Sequence, residues 1–415
     1  MKKRKKKMKT ERKYTSVTVT DKAVRALKGG HPWVFADEIL SIEGGYENGD
    51  IVDVLSTKNR YMGSGFINDN SKIRVRVISD NANDKFDEAF WERRVKYALE
   101  YRKTVMGKDF DCCRLIFGEA DKFPGLTVDR FGSVLVTQCL SLGIDNIKDM
   151  LFPIIVRTLR NMGETIEVLY ERNDVKIREK EGMEEYKAFY EGEGLLTDTD
   201  GKTIIEENGI KYNVDYINGQ KTGFFLDQKY NRLAAAKIAP GKKVLDCFTH
   251  TGAFALNCAA AGAEMVTAVD VSKDAVEMTR KNAELNGFKN MDFVCADVFE
   301  LLTEIAESGK KPYDYIILDP PAFTKSSATV KNAERGYKEI NMKAMKILPR
   351  GGYLSTCSCS HFMKDELFRK MLRSAAADAG VELRQIEARQ QSPDHPILWN
   401  VPETDYLKFY IFQIV

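Results

Sequence analysis

The sequence predicts an α/β protein whose C-terminal half is a doubly wound sheet of seven strands. After about residue 212, strand and helix patterns alternate, which is the order that builds parallel sheets covered by helices. Acidic residues end several of these strands, at the edge where such sheets bind ligands. The chain of 415 residues is too long for one ordinary core, and the patterns before residue 212 differ, so we expect smaller domains upstream.

Composition and the N-terminal residues exclude several classes of protein. No apolar run reaches the roughly 20 residues of a membrane helix, and the basic N-terminus lacks the apolar stretch of a secretory signal. The eight cysteines follow no spacing typical of disulfide frameworks or structural zinc. We therefore predict a cytoplasmic protein with reduced thiols, no metal and no membrane role.

Residues 1–13 contain nine Lys/Arg and one Glu, whereas the rest of the chain is mildly acidic. We predict that this segment is a disordered basic arm. It either attracts the phosphates of a nucleic acid or is a solvated tail that aids solubility.

Residues 14–82 are predicted to form a small β-barrel. Short β-branched runs at 17–20, 51–55 and 73–78 are separated by Gly-rich turns. In the last run the apolar residues share one face, and Arg74 and Arg76 lie on the other. Trp33 and these arginines are candidates for stacking on or pairing with RNA, and core packing is the alternative for Trp33.

Residues 83–205 are predicted to form an α+β middle domain, and residues 206–415 the doubly wound domain. Helical patterns cover 86–105 and 147–162, and strand patterns cover 125–129, 133–138 and 166–170. Residues 182–211 are predicted to be a connection or a peripheral hairpin. The seven C-terminal strands, of which the last two should form a hairpin, are predicted at 243–248, 265–270, 291–297, 313–319, 352–357, 381–386 and 407–415.

The ends of the first three C-terminal strands predict a site for an adenosyl cofactor. The loop from Asp246 to Gly252 has small and hydroxyl residues that let backbone N–H groups approach a ligand. Asp270 ends the second strand, where a carboxylate can accept both hydroxyls of a ribose, and Asp297 ends the third, near the expected adenine. Helix capping is the alternative for each acid. The residues that we expect to contact the cofactor also include Phe248, Thr249, Thr251, Val271 and Gln228.

The segment Asp319-Pro-Pro-Ala-Phe323 follows the fourth strand. Paired prolines fix the backbone there, so that the carboxylate faces the pocket and Phe323 can stack on a flat substrate. This segment and the missing G-x-G-x-x-G fingerprint argue against a nicotinamide cofactor.

These segments resemble a known family over nearly the whole chain. Residues 212–415 look like a class I, Rossmann-like methyltransferase domain, and the chain is similar to the bacterial large-subunit (23S) ribosomal RNA cytosine-5 methyltransferases, which carry an N-terminal PUA domain. The resemblance implies S-adenosyl-L-methionine as cofactor, RNA as substrate, and donor contacts from Asp246, Asp270, Asp297 and Asp319. The matching segments are 30–35, 117–130, 171–174, 222–228 with Gln228 at its end, 231–232, 319–323, 358–360 and 394–396.

Two cysteines are candidate nucleophiles. Carbon 5 of cytosine must be activated by a transient adduct at carbon 6, for which a thiolate is the natural reagent. The family's Ser-Cys-Ser pattern favours Cys359, whereas a Thr-Cys-Ser pattern would match Cys357, and both could instead be buried core residues. Asp319 would orient the cytosine through its amino group.

Several alternatives stay open from the sequence. An amino-directed RNA methyltransferase would need no cysteine, and an RNA-binding assembly factor would need no chemistry. The sequence identifies neither the target nucleotide nor the base that removes the carbon 5 proton, and it does not decide between a monomer and a homodimer.

Overall fold

The computed structural model describes residues 12–324 and 326–415. The chain divides into two compact units. The first contains the residues up to Thr203 together with Asp215–Phe224 and Pro393–Thr404. The second contains Ile204–Val214, Phe225–Ser392 and Asp405–Val415. Two segments that we assigned to the C-terminal domain therefore belong to the first unit.

The first unit begins with a mixed six-stranded sheet in the order β2-β6-β5-β4-β1-β3. Valines of β1, β2, β4 and β6 fill its core together with residues of α1, a helix that was not predicted. The elements are β1 (Ser16–Val19), α1 (Asp21–Lys28), β2 (Trp33–Phe35), β3 (Ile39–Glu43), β4 (Ile51–Ser56), β5 (Tyr61–Ile67) and β6 (Ile73–Ser79).

The predicted arm lies almost wholly outside the described residues, and its end is part of the fold. Arg12 Nε donates to Asp53 Oδ2 at 2.8 Å, and Arg12 Nη2 donates to the Ser64 hydroxyl at 2.8 Å. The prediction of disorder is therefore wrong for Arg12, because a buried carboxylate on β4 holds its guanidinium.

A five-stranded sheet in the order β11-β10-β9-β8-β7 forms the rest of the first unit. Both predicted helices and three predicted strands are present. Strand β7 was missed because a register shift between Arg114 and Ile116 breaks its alternation. The elements are α2 (Glu88–Met106), β7 (Cys112–Phe117), β8 (Leu126–Phe131), β9 (Val134–Cys139), α3 (Leu142–Asn161), β10 (Val168–Asn173) and β11 (Tyr186–Phe189).

The second unit contains the predicted seven-stranded sheet, in the order β16-β15-β14-β17-β18-β20-β19. Five strands are parallel, and the last two strands of the chain form the predicted antiparallel hairpin. These strands are β14 (Lys243–Cys247), β15 (Met265–Asp270), β16 (Met291–Cys295), β17 (Tyr315–Leu318), β18 (Tyr353–Ser358), β19 (Leu383–Arg389) and β20 (Lys408–Ile414).

The order of the strands in this sheet indicates where a ligand would bind. From β14 the chain winds outward through β15 and β16, then returns to the other side of β14 for β17 and β18. Such a reversal leaves a crevice at the carboxyl ends of the strands. The helices are α4 (Lys229–Ala236), α5 (Ala253–Ala260), α6 (Lys273–Leu285), α7 (Val298–Glu307), α8 (Val330–Ile347) and α9 (Asp365–Ala379), and a hairpin of β12 (Lys202–Glu207) and β13 (Ile210–Asp215) precedes them.

Within the described part of the chain, no helix has both the length and the apolar character needed to cross a membrane.

Candidate active site

The loop after β14 folds back on the carboxylate that ends the strand. Asp246 Oδ2 accepts hydrogen bonds from the Thr249 hydroxyl at 2.6 Å and from the Ala255 amide at 3.0 Å. Phe248 and His250 have φ values of 65° and 53°, in the left-handed region that costs a non-glycine residue free energy. Such strain at a strand end is typical of ligand sites.

Gly252 ends this loop with a φ of 83°. A Cβ atom at Gly252 would lie 2.4 Å from Leu256 Cδ1 and 2.5 Å from Thr279 Cγ2, so a side chain here would displace both and would be strained at this φ. Thr251, the residue before it, is held by its backbone carbonyl, which accepts a hydrogen bond from Asn282 Nδ2 at 3.0 Å. The predicted loop residues therefore form one fixed cradle.

The other carboxylate oxygen of Asp246, Oδ1, is buried. Among the described residues no hydrogen-bond donor contacts Asp246 Oδ1. Water cannot easily replace such a donor, because Asp246 is only 1 % exposed. Burial raises the pKa of Asp246 to about 7, and the nearby Asp319 carboxylate adds to the rise. A cationic group would supply the missing partner of Oδ1.

This raised pKa predicts a pH dependence of the stability of the ligand-free protein. Because the folded pKa of about 7 exceeds the ordinary value of 3.8, the folded state binds more protons between these values than the unfolded state. The free energy of unfolding should therefore fall as pH rises from about 4 to about 7, and Asp246→Asn should reduce this fall. Urea unfolding at pH 5 and pH 8 measures the difference, and an unchanged slope in the variant would contradict the assignment.

Asp270 and Asp297 lie at the ends of β15 and β16, as predicted. Asp270 Oδ2 accepts from the His250 amide at 3.0 Å, which connects the ends of β15 and β14. Exposed Asp297 caps α7 by accepting from the Phe299 amide at 2.7 Å. Capping was the alternative for these acids, but a capping carboxylate keeps lone pairs for a further donor. Val271, after Asp270, is 70 % exposed.

On the other side of β14, Asp319 is the centre of a polar cluster. Cys357 Sγ donates to Asp319 Oδ1 at 2.8 Å, and Gln228 Nε2 donates to the same oxygen at 3.3 Å. Asn231 in turn donates to Gln228 Oε1 at 2.7 Å. Burial raises the pKa of Asp319 to about 6 and holds the pKa of Cys357 well above its usual range. Cys357 is therefore a protonated thiol, fully buried beside a carboxylate.

Cys359 lies two residues further on, where β18 has ended, and its side chain is half-buried. The residues on either side fix its position: the Ser358 hydroxyl donates to the Tyr337 hydroxyl at 3.0 Å, and the Ser360 hydroxyl donates to the Thr324 carbonyl at 3.0 Å. Thr324 directly follows the Asp-Pro-Pro-Ala-Phe segment. The structure thus ties the segment that contains Cys359 to the segment that contains Asp319.

Phe323 packs against Tyr337 of α8, with ring centroids 4.6 Å apart, and remains half-buried. Because Tyr337 also accepts from the Ser358 hydroxyl, Phe323 lies close to the segment that contains Cys359. The two rings are tilted by 44°, and this packing limits how far the Phe323 ring can turn.

Lys408 is a residue of this region that was not predicted from the sequence. Its ammonium donates to the Ser360 carbonyl at 2.6 Å and to the Tyr406 carbonyl at 2.8 Å. Burial lowers the pKa of Lys408 to about 8, while the neighbouring Cys359 opposes that decrease. A lysine that opens the otherwise apolar and aromatic run of β20 was the signal that could have drawn attention to it.

The RNA-binding candidates of the first unit have partners within the fold. Arg76 donates to Glu119 at 3.1 Å and to Glu181 at 2.9 Å, and its guanidinium lies over the Trp33 ring. Trp33 Nε1 also donates to Glu119, at 3.1 Å. Arg74 pairs with Asp69. The charges of both arginines are thus compensated inside this unit.

Comparisons with known proteins agree with this geometry. Residues 17–80 match the family model of a PUA-like domain, and residues 184–410 match that of an S-adenosylmethionine-dependent methyltransferase. The chain is 41 % identical over 387 residues to ribosomal RNA large subunit methyltransferase I of Aeromonas salmonicida, covering 92 % of this chain and 95 % of that protein. It is 38 % identical over 397 residues to the protein of the same name from Klebsiella pneumoniae, covering 94 % and 96 %.

Solved structures are similar in fold. A SAM-dependent methyltransferase from Streptococcus mutans matches with a TM-score of 0.79 at 22 % identity, covering 96 % of this chain and 99 % of that one. A methyltransferase structure in complex with SAH matches with a TM-score of 0.80 over the same shares of the two chains. At this identity the likeness concerns the fold alone.

Proposed function

The chain belongs to the family of S-adenosylmethionine-dependent methyltransferases that includes ribosomal RNA large subunit methyltransferase I, and we propose that it forms 5-methylcytidine in large-subunit (23S) ribosomal RNA through a cysteine adduct. The observation that carries the proposal is the position of Cys359. Its half-buried thiol sits on a segment that side-chain hydrogen bonds fasten to the Asp-Pro-Pro-Ala-Phe segment. The names of the relatives support the choice of RNA.

The cofactor is S-adenosylmethionine, and the residues of the cradle fit it. The unpartnered, buried Asp246 Oδ1 suits a donor molecule that carries positive charge, and Gly252 keeps the loop open to a backbone approach. Asp270 would hold the ribose hydroxyls and Asp297 the adenine amine, with Val271 beside the adenine. When bound, the cofactor supplies an electrophilic methyl group.

The thiolate of Cys359 makes carbon 5 of the target base nucleophilic. It adds to carbon 6 of the cytosine, and the ring then carries its electron pair to carbon 5, where the methyl group is accepted. Loss of the carbon 5 proton to a base and elimination of the thiolate restore the aromatic ring and the free enzyme. Lys408 favours the thiolate, because a buried cation lowers the free energy of a neighbouring anion.

Asp319 and Phe323 orient the base. The Asp319 carboxylate accepts from the exocyclic amine of the cytosine, and Gln228 and Cys357 hold its Oδ1 in place. The half-buried ring of Phe323 would stack on the base. Because carbon 6 must reach a thiol, a paired target would have to leave its helix before the reaction.

One alternative draws on the same cluster. Asp319 after a buried strand, followed by two prolines, also suits methylation of an exocyclic nitrogen, which needs no thiol. Substituting both Cys357 and Cys359 by Ala separates the two reactions, since retained methylation at full rate would favour the amino-directed enzyme.

Nucleoside analysis tests the proposed product. Mass spectrometry of large-subunit ribosomal RNA from cells with and without this protein should show the loss of one 5-methylcytidine. An unchanged nucleoside profile would contradict the substrate. Residence in the cytoplasm, where such RNA would be modified, stays a prediction.

A further inference from the structure

A cavity of about 440 Å³ opens in the first unit, beside α2 and the turn that precedes β8. Its volume lies within the range of small-ligand sites. Arg93, Arg94 and Tyr97 of α2 line it, and Lys122 lines it from the turn. All these residues belong to the first unit, whereas the methyl-donor cradle and the cysteine segment belong to the second.

The carboxylates of the cavity already have partners. Asp121 accepts from both terminal nitrogens of Arg102, with 2.7 Å between Arg102 Nη2 and Asp121 Oδ2. Asp84 accepts from the Ser79 hydroxyl at 2.5 Å and from Asn81 Nδ2 at 2.9 Å. A ligand would therefore meet acids that already accept hydrogen bonds within the fold.

The cations of the cavity are less satisfied. Arg94 is used internally, since it donates to the Lys122 carbonyl at 2.8 Å and lies over the Phe90 ring. Within the described ranges, the structure gives the Lys122 ammonium neither a hydrogen bond nor an ion pair, and burial lowers its pKa, as does the nearby Arg94. Arg93 is exposed and makes one hydrogen bond, to the Ala89 carbonyl of its own helix. Lys122 and Arg93 are thus available to an anion.

Tyr97 supplies a flat surface next to these charges. Its side chain is 65 % exposed, one helical turn from Arg93. An exposed ring beside two cations is the combination that binds single-stranded nucleic acid, because bases stack on the ring while phosphates meet the charges. An acidic peptide would use the cations but gain little from the ring.

Arg12, near the end of the N-terminal arm, lies next to this cavity. Arg12 Nη1 donates to the carbonyl of Ala82 at 2.6 Å and to that of Asp84, a cavity residue, at 3.3 Å. Seven of the first nine residues of the chain are Lys or Arg. Like charges make these residues a poor occupant of a cationic cavity, but they would add to its attraction for a polyanion.

We propose that this cavity holds one nucleotide of the RNA substrate, with its phosphate on Lys122 and Arg93 and its base on Tyr97. The identification of the partner as RNA rests on the proposed function. The basic arm adds attraction that is independent of base sequence.

Binding of a single-stranded RNA 20-mer to the full chain, measured by fluorescence anisotropy over a series of salt concentrations, tests the inference. Lys122→Gly removes the ammonium and suits the observed φ of 63°, and it should lower the slope of log Kd against log salt by about 0.7. Tyr97→Ala should weaken binding about tenfold at an unchanged slope. Lys122→Asn, which also tolerates this conformation, serves as a second variant if the first folds poorly.

The matched control is Lys96→Gln. Lys96 lies on the same helix and is exposed, but it does not line the cavity, so affinity should stay within about twofold of wild type and the slope should stay unchanged. Cavity variants that behave like this control would overturn the inference. If wild type binds the RNA but makes no 5-methylcytidine, the proposed function fails, and the same binding curves still decide the role of the cavity.

Discussion

Cys359→Ala should lower the rate of RNA methylation by about 10⁴-fold or more, since loss of a covalent nucleophile removes the route through the carbon 6 adduct. Cofactor affinity should stay unchanged, because Cys359 lies on the segment after β18 and not in the cradle formed by the Asp246 loop. Transfer of labelled methyl groups to ribosomal RNA measures the rate, and calorimetric titration with S-adenosylmethionine measures the affinity.

Cys357→Ala is the matched comparison two residues away. Its thiol is fully buried and donates to Asp319, so its loss should disturb the carboxylate without removing the reaction. We expect a decrease of about tenfold, the cost of one hydrogen bond to a charged group. If Cys357→Ala abolished methylation and Cys359→Ala did not, the assignment of the nucleophile would be reversed.

The adduct itself can be observed. RNA that carries 5-fluorocytidine at the target cannot lose a proton from carbon 5, so the bond between Cys359 and carbon 6 should persist. Wild type and Cys357→Ala should then give a protein–RNA band that survives denaturing electrophoresis, and Cys359→Ala should give none. A band from Cys359→Ala would exclude it as the nucleophile.

The second large effect concerns stability. Glu207 and Arg232 form a bidentate ion pair with distances of 2.6 and 2.9 Å, and both side chains are almost completely buried. Glu207→Ala should destabilise the second unit by about 3–5 kcal/mol, because it leaves a buried guanidinium without its carboxylate. Arg232 also donates to the Phe225 carbonyl at 2.6 Å, so the segment leading to Gln228 should loosen with it.

The measurement must report on the second unit alone. All three tryptophans, Trp33, Trp91 and Trp399, belong to the first unit, so tryptophan fluorescence would follow the wrong part of the chain. Hydrogen exchange of the β14 amides in the hydrophobic core is the suitable probe.

Two variants complete this test. Glu277→Ala breaks exposed pairs with Arg280 and Lys281 within the second unit and should change stability by no more than about 0.5 kcal/mol. Glu207→Leu combined with Arg232→Met should recover much of the loss, since an apolar pair needs no compensation. Equal exchange rates in Glu207→Ala and Glu277→Ala would show that the buried pair stabilises the second unit no more than an exposed pair does.

The edge of the sheet at which these acids lie was predictable from the sequence. Strands of a parallel sheet end at one edge, so acidic residues at or near the carboxyl ends of β14, β15, β16 and β17 had to line the same edge once the alternation of strand and helix was recognised. Asp246, Asp270 and Asp319 follow this rule through nothing more than local pattern and sheet topology.

The difference between the two cysteines was not predictable. Cys357 and Cys359 have similar neighbours in sequence, and the strand pattern covered the first and stopped before the second. Only the pairing of β18 with β20, which ends at Ser358 and Lys408, shows that one thiol is enclosed beside Asp319 and the other is half-buried beyond the strand.

The sequence by itself thus determined the fold class, the order of the strands and the edge at which acids and thiols gather, because these depend on local periodicity and on the rules of parallel sheets. Only the tertiary structure decided which charged side chains have an oppositely charged partner. Arg76 looked solvent-facing in its strand and is paired with Glu119 and Glu181, 43 and 105 residues away. Electrostatic compensation acts through space between distant parts of the chain, and local pattern carries no record of it.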